Sequence, residues 1–168
     1  MKLLRGNATP TLLFIAGEGG HIQQARRLLK ALDDELREEC HCVLITDSAS
    51  VDGSVFDECW IVDTCAPKHR GAKIGDMFTY AISSAKTLLR LARGYDVRMV
   101  MVTGPGFAVI PAIGVKILGA HLIGVECASR FESRSKCGKV LYRIADEFFV
   151  QHEELLELYP RAKWVGIL

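Results

Sequence analysis

The segment Gly17–His21 has residue types that can bind a phosphate and move a proton. It follows the apolar run Leu12–Ala16, which predicts a buried strand, and it precedes a segment with helical periodicity. Gly17, Gly19 and Gly20 would let the backbone approach a ligand closely, and the N–H groups at a helix N-terminus attract anions. This segment is therefore predicted to bind a diphosphate, with a simple strand-to-helix turn as the alternative.

His21 is the strongest single candidate for a catalytic residue. It begins the predicted helix, where the positive end of the helix dipole disfavours an imidazolium ion. A neutral imidazole beside a bound diphosphate can accept a proton from a substrate hydroxyl. The local sequence is equally compatible with a histidine that only caps or packs at the turn.

The same segment departs from two common phosphate-binding motifs. A dinucleotide-binding loop has a third glycine three residues after the second, where this chain has Ile22. Asp47, after the next strand, could imitate the acid that binds a ribose, but it is equally well explained as a turn residue. No Lys-Ser/Thr pair directly follows these glycines, as a P-loop would require. A small nicotinamide-dependent oxidoreductase therefore remains only a third hypothesis.

Two later segments carry further candidate residues. Gly104-Pro105-Gly106 follows a predicted strand, and Glu126 ends the next one, so both belong to the carboxyl edge of the sheet where ligands bind. Glu126 is a second candidate base, or else an ion-pair partner of Arg130 or Arg134. Basic groups and a hydroxyl suited to a phosphate then crowd one predicted loop: Arg130, Ser135, Lys136 and Lys139.

Short apolar runs alternate with segments of helical period along the whole chain. The predicted strands are 12–16, 42–46, 59–63, 97–103, 121–125, 147–150 and 163–165. The predicted helices are 21–37, 76–93, one ending near 118, 138–145 and 152–158. Strands that are apolar on both faces and alternate with helices indicate a parallel sheet covered on both sides. We expect an α/β, Rossmann-like fold in a single domain, 1–168, with loops at 48–58 and 64–75.

Composition excludes several classes of protein. The chain has 168 residues, of which 49% are hydrophobic and 24% charged, which is enough for a real core. A net charge of +1 argues against nucleic-acid binding by the molecule as a whole. The six cysteines form no CxxC pair, so free thiols in a reducing compartment are expected rather than a metal site. Nothing in the residues requires a metal ion or a cofactor.

Positive charge is concentrated in one part of the chain. Between residues 68 and 98 there are seven basic and two acidic residues. The helix predicted there is interpreted as amphipathic and suited to an anionic membrane surface, although an ordinary surface helix is equally compatible. The predicted membrane contacts are an apolar set placed opposite a basic set: Phe78, Ile82 and Leu89 against Lys86, Arg90 and Arg93.

No signal peptide or membrane span is expected. The apolar run at 12–16 is too short for a signal sequence, and the uncharged stretch 99–115 is interrupted by Gly104-Pro105-Gly106 and by Pro111. The predicted location is cytoplasmic, with peripheral attachment at the inner face of the cell membrane.

The motifs, taken together, resemble the asparagine-linked-glycosylation protein fourteen family, which includes bacterial exopolysaccharide proteins of the PssD type. The resemblance covers nearly the whole chain, and the long segment 135–151 makes it specific. The motifs occur in this order: Gly17–His21, Thr103–Gly106, Gly124–Arg130, Ser135–Gln151 and Tyr159-Pro160.

The resemblance implies the N-terminal, acceptor-side half of a GT-B glycosyltransferase that is split over two chains. It implies a separate partner subunit that binds the UDP-sugar, and a polyprenyl-diphosphate-linked sugar as acceptor. The Gly17–His21 loop also resembles the acceptor-diphosphate loop of the peptidoglycan enzyme MurG. The leading hypothesis is thus a glycosyltransferase subunit that is active only with its partner. The alternative is a scaffold that recruits a catalytic partner to the membrane and does no chemistry.

Overall fold

The computed structural model describes residues 9–62 and 74–168, with the backbone alone at 74–78. The strands are β1 Pro10–Ile15, β2 His41–Thr46, β3 Glu58–Ile61, β4 Asp96–Val102, β5 His121–Val125, β6 Glu147–Val150 and β7 Lys163–Trp164. The helices are α1 Gly20–Ala31, α2 Asp34–Glu39, α3 Ile74–Gly94, α4 Val109–Ile117, α5 Lys136–Ile144 and α6 Leu155–Leu158. A short 3-10 turn, Gly106–Ala108, precedes α4.

The strands of the described ranges form one parallel sheet of seven, in the order β3-β2-β1-β4-β5-β6-β7. The order reverses beside β1, because β2 and β3 extend to one side of it and β4 to β7 to the other. In such a sheet the connections after the two central strands diverge and leave a crevice at their carboxyl ends. The loops after β1 and β4 border this crevice.

The sheet is buried on both faces, as its sequence pattern predicts. Alternate residues of β1 belong to two separate cores, with Leu12 and Phe14 on the face covered by α1 and Leu13 and Ile15 on the other face. These four side chains are at most 3% exposed. Such two-sided burial is what a covered parallel sheet requires, and it fixes the strand ends that carry the site.

The predicted helix 21–37 was wrong as a single element. α1 ends at Ala31, and α2 begins at Asp34 after Asp33, whose carboxylate accepts a hydrogen bond from the N–H of Glu35. A side chain that satisfies a free N–H in this way starts a new helix, and the periodicity of apolar residues alone does not reveal it.

The start of α5 also differs from the prediction. The helix begins at Lys136 rather than at Gly138, because the Ser135 hydroxyl caps it by accepting the N–H of Gly138 at 2.8 Å. Lys136 and Lys139 therefore lie on the first turn of a helix and not in a loop.

The predicted arrangement of α3 was wrong in one respect. Ile82, Lys86, Leu89 and Arg93 follow one another at helical spacing and are all exposed, so the apolar and basic residues share one face. The opposite face packs on the sheet through residues such as Leu91, which is fully buried. The side chain of Phe78 and most of the predicted basic loop 64–75 lie outside the described residues.

Within residues 9–62 and 74–168, none of the helices combines the length and the apolar character needed to cross a bilayer.

One polar cluster stabilises the edge of the sheet opposite the crevice. The Glu58 carboxylate accepts hydrogen bonds from the Trp60 indole at 2.8 Å, the Tyr95 hydroxyl at 2.9 Å and His41 Nε2 at 3.0 Å. These contacts lower the pKa of Glu58 below its usual range, with the bond from Trp60 contributing most and partial burial opposing the change.

Glu58→Gln is expected to lower the free energy of unfolding at pH 7 by up to about 1 kcal/mol, since the carboxylate is partly exposed. A depressed folded-state pKa stabilises the protein above the unfolded pKa of about 4.3, and this contribution is lost as the pH falls through the folded value. Urea denaturation at pH 7 and pH 3.5 measures the difference, which should shrink at the lower pH. Glu38→Gln, on the exposed face of α2, is the control. If the difference in free energy of unfolding between the wild type and Glu58→Gln were the same at both pH values, the lowered pKa of Glu58 would be contradicted.

Candidate functional site

A cleft of about 490 Å³ lies at the carboxyl edge of the sheet, where the strand order reverses. The loop after β4, the loop after β5 and the N-terminus of α5 form its walls. The residues expected from the sequence that line it are His21, Gly104, Gly106, Glu126, Arg130, Ser135 and Lys136. The fold thus brings three distant motifs to one place.

A second cleft, of about 520 Å³, adjoins the first on the α1 side. Gly20, Arg27 and Ser129 contribute to its walls, and His21 lines both clefts. The histidine therefore lies at the junction of two spaces.

The remaining glycines of the first motif have separate structural roles. A Cβ atom on Gly17 would lie 2.7 Å from Cγ of Pro105, so this glycine is required for the close packing of the loops after β1 and β4. Gly19 has φ of +78°, a conformation that favours glycine. Around Gly20 and Gly106 the backbone is open, with nothing within 4 Å of a Cβ atom.

Lys139 is exposed on α5 and does not line the cleft.

His21 is held by two hydrogen bonds across the crevice. Its Nδ1 lies 2.6 Å from the carbonyl oxygen of Thr103, and the Thr103 hydroxyl donates to the carbonyl of His21 at 3.0 Å. Because a carbonyl only accepts, Nδ1 carries the ring proton and Nε2 of the neutral ring keeps its lone pair. Gly104 has φ of +88°, and a Cβ there would lie 2.8 Å from the imidazole, so the glycine leaves room for the ring.

Two acidic residues beside the glycine loop are engaged in its support. The Glu18 carboxylate is exposed and accepts the Ser50 hydroxyl at 3.1 Å, in the loop after β2. Asp47 Oδ1 lies 3.3 Å from the N–H of Glu18. Asp47 therefore supports the turn, as one of its two sequence interpretations proposed.

The N-terminus of α5 is suited to bind an anion. The first residues of the helix line the cleft, so the positive end of the helix dipole borders it. Lys136 is exposed there and, among the described residues, makes no hydrogen bond or ion pair. Arg130 is also exposed, with its guanidinium donating to the Ser133 hydroxyl at 3.2 Å. The N–H groups of Ser135 and Gly138 are already bonded, to Glu126 and to the Ser135 hydroxyl, so a diphosphate at this end would meet chiefly the two cations.

Glu126 is buried, with 1% of its surface exposed, and its carboxylate accepts three hydrogen bonds. Oε1 accepts the N–H of Cys127 at 3.0 Å, while Oε2 accepts the N–H of Ser135 at 3.2 Å and the Tyr159 hydroxyl at 2.5 Å. The ion pair with Arg130 or Arg134 that the sequence allowed is not among the contacts of the described residues.

This buried carboxylate changes the chemistry of its neighbours. Burial, followed by the charge of Glu126, raises the pKa of the Cys137 thiol to about 12. Burial and the hydrogen bond to Glu126 raise the pKa of the Tyr159 hydroxyl above its ordinary value. Both groups stay protonated near neutral pH, so neither is suited to act as a nucleophile or a base.

Sequence reasoning missed the contribution of two residues to this site. The fully buried Tyr159 bonds to the Glu126 side chain, and the Gln151 amide donates to the Glu126 carbonyl at 2.9 Å. Both fall inside motifs of the family resemblance, but no local pattern connects them to a residue so far away in the chain. Within the described ranges, no three His, Cys, Asp or Glu side chains are grouped as metal ligands.

The architecture is that of known GT-B glycosyltransferases. The structure of Acinetobacter baumannii MurG superposes with a TM-score of 0.66 at 14% identity, over 87% of this chain and 42% of that one. Phytolacca americana UGT2 with UDP-2-fluoro-glucose and pterostilbene gives a TM-score of 0.55 at 10% identity, over 94% of this chain and 54% of that one. The chain is a Rossmann-like domain of the kind that forms the N-terminal half of a GT-B enzyme, which confirms the predicted fold class.

The family model described as "Oligosaccharide biosynthesis protein Alg14 like" matches residues 12–168. The Saccharomyces cerevisiae protein named UDP-N-acetylglucosamine transferase subunit ALG14 is 27% identical, over all of this chain and 81% of its own length. The human protein of the same name is 27% identical, over 93% of this chain and 82% of its own length. The chain belongs to the Alg14-like family of oligosaccharide biosynthesis proteins, and the predicted resemblance is confirmed.

The tautomer of His21 is open to direct observation. In the neutral imidazole, the proton is expected on Nδ1 because Thr103 offers only an acceptor. Long-range ¹H–¹⁵N correlation spectra of the histidine-labelled chain should show that pattern for His21. The exposed His121, at the opposite edge of the sheet, serves as the internal comparison. An Nε2–H tautomer at His21 would refute the proposed orientation of the lone pair.

Proposed function

We propose that this chain is the acceptor-side subunit of a two-chain, UDP-sugar-dependent glycosyltransferase acting on a lipid-diphosphate-linked sugar. Its relatives are named as subunits of a UDP-N-acetylglucosamine transferase, which supports both the donor class and the existence of a partner. The chain spans 42% of the MurG chain that it resembles in fold, and a separate UDP-sugar-binding subunit would provide the opposite wall of the cleft.

The observation that carries the proposal is the convergence of three motifs on one cleft. The α5 N-terminus, Lys136 and Arg130 would bind the acceptor diphosphate through charge and helix N–H groups. The open backbone at Gly106 would admit a phosphate close to the chain, because even a Cβ atom there meets nothing within 4 Å. The two glycine-containing loops and the basic helix terminus thus form one binding surface.

His21 would act as the general base. Its Nε2 takes the proton of the acceptor hydroxyl as that oxygen bonds to the anomeric carbon of the donor sugar. The bond from that carbon to the nucleotide phosphate breaks, and UDP leaves with the electron pair, held by the partner chain. Direct displacement inverts the anomeric centre. Thr103 keeps the imidazole in the tautomer that this step requires.

The experiment reconstitutes the chain with its partner subunit, which is identified from the neighbouring gene or by co-purification. Transfer from UDP-N-acetylglucosamine to a short-chain prenyl-diphosphate-sugar is measured, and His21→Ala is expected to lower kcat by about 10²- to 10⁴-fold. His121→Ala, at the opposite edge of the sheet, is the matched control and should retain activity. Transfer by the wild-type complex together with full activity of His21→Ala would favour a non-catalytic scaffold, for which the bound partner alone would supply the base.

A membrane surface is the second part of the proposal. α3 and α4 pack side by side, with Leu88 over the bare Gly114, and both present exposed aliphatic side chains. The exposed set is Ile82 and Leu89 on α3 with Ile110, Ile113, Ile117 and Leu118 on and beside α4. α4 starts next to the cleft, so its apolar face would receive a lipid carrier whose diphosphate lies in the cleft.

Charges accompany this apolar face. Lys86 and Arg93 are exposed on α3. Arg90 is 62% exposed at its side chain but is partly engaged, since its guanidinium stacks 3.9 Å from the Trp60 ring centroid and lies 3.8 Å from Glu58. Apolar and basic side chains on one surface favour peripheral attachment to an anionic membrane. We propose that the subunit attaches through this surface to the cytoplasmic face of a membrane.

Vesicle partitioning tests the membrane surface. Leu89→Ser with Ile117→Ser should weaken binding to vesicles of any headgroup by about tenfold or more, because two exposed aliphatic groups that would enter the bilayer are lost. Lys86→Glu with Arg93→Glu should weaken binding to phosphatidylglycerol-containing vesicles by about tenfold or more, and only at low salt. Leu36→Ser, an exposed leucine on α2, is the control. Equal partitioning of all variants would contradict the assigned surface.

A further inference from the structure

We propose that Glu126 is a positioning residue, which holds the 127–135 loop and the start of α5 in the geometry that binds the acceptor diphosphate, and does not itself take a proton. This inference rests on the proposed function and refines the roles within its cleft. It replaces the sequence-based expectation that Glu126 is a second candidate base.

The carboxylate joins the two ends of a loop. Oε1 accepts the N–H of Cys127, the first residue after Glu126, and Oε2 accepts the N–H of Ser135, the residue that caps α5. The segment between them carries Arg130, and the helix that follows begins with Lys136. A single side chain therefore fixes both ends of the segment that supplies the cations of the cleft.

Further contacts fix the carboxylate itself. The fully buried Tyr159 donates its hydroxyl to Oε2 at 2.5 Å, and Gln151 donates to the Glu126 backbone carbonyl. Gly138 leaves no room for a larger residue, since a Cβ there would overlap the same carboxylate oxygen. The side chain is packed against the start of α5 as well as hydrogen-bonded to Cys127, Ser135 and Tyr159, and Gln151 holds its backbone.

The donor pattern explains why an acid is needed here. All three partners of the side chain are donors, namely two N–H groups and one hydroxyl, and an ionised carboxylate offers acceptors only. A glutamine would turn an NH₂ group towards at least one backbone N–H and leave it unpaired. A buried donor without a partner is costly, so the loop is expected to loosen in such a variant.

The same pattern argues against a role as base. A general base must reach the proton it removes, at a hydrogen-bond distance. Glu126 is 1% exposed and its two oxygens already accept from three donors. His21, by contrast, makes no hydrogen bond through Nε2 among the described residues and lines both clefts.

Two variants test the inference from different sides. Glu126→Gln removes the acceptor-only carboxylate, and Tyr159→Phe removes one donor while leaving the carboxylate in place. Both are expected to speed amide hydrogen exchange in the peptide covering 127–139, in the full chain and without any ligand. Both should also raise the KM for the lipid-diphosphate acceptor about tenfold in the reconstituted complex, with kcat changed much less. Glu132→Gln, an exposed acid in the same loop, is the matched control and should change neither readout.

A third readout separates a positioning residue from a base. The pH profile of kcat/KM should keep its shape in Glu126→Gln and Tyr159→Phe, and the double variant should lose little more than either single one, since both act through one carboxylate. If Glu126→Gln lost the fall of kcat/KM at low pH while Tyr159→Phe kept the wild-type profile, Glu126 would be the base and the inference would be overturned. Unchanged exchange of 127–139 in both variants would overturn it as well. The exchange measurement needs no turnover, so an inactive wild-type complex would count against the proposed function and leave this inference to be decided by exchange.

Discussion

The reversal of strand order beside β1 is the constraint on which the site depends. It separates the connections after β1 and β4 and opens a crevice between them. The bond from His21 to the Thr103 carbonyl spans that crevice at 2.6 Å and ties its two sides together. Glycines at 17 and 104 are needed because one loop packs against Pro105 and the other against the imidazole. Gly17 and Gly104 thus allow the close packing that narrows the crevice, while the backbone at Gly19, Gly20 and Gly106 stays open to a ligand.

The two sides of the cleft are organised by different means. On the β1 side, the glycine backbone and the hydrogen bond from His21 to Thr103 set the shape of the cleft. On the β5 side a buried carboxylate holds a loop and a helix start, and it accepts hydrogen bonds from the adjacent Cys127, from Ser135 and from the distant Tyr159. The exposed cations Lys136 and Arg130 are then left at the surface, where an anionic ligand can reach them. A rigid floor with adaptable charged side chains is well suited to a diphosphate whose attached lipid lies outside the cleft.

The sequence predicted the architecture well because burial on both faces leaves a strong pattern. The strands 121–125 and 147–150 were predicted with the observed bounds, and the parallel sheet followed from their alternation with helices. Helix boundaries were less accurate where one side chain decides them, as at Asp33 and Ser135. The exposed face of α3 was misjudged although the i, i+4 spacing of Ile82 and Lys86 already places them on the same side of a helix. The surroundings of Glu126 could not be foreseen, since Tyr159 approaches it through tertiary folding alone.

The proposed role requires that the cleft bind the diphosphate of a lipid carrier. Geranyl diphosphate titrated into the ¹⁵N-labelled chain, with amide shifts followed by NMR, tests it most directly. We expect saturable shifts at Gly106 and at the first turn of α5, which Lys136→Glu should abolish and added salt should reduce. Shifts absent from these amides, or a stronger response to a nicotinamide dinucleotide at the Gly17–His21 loop, would contradict it.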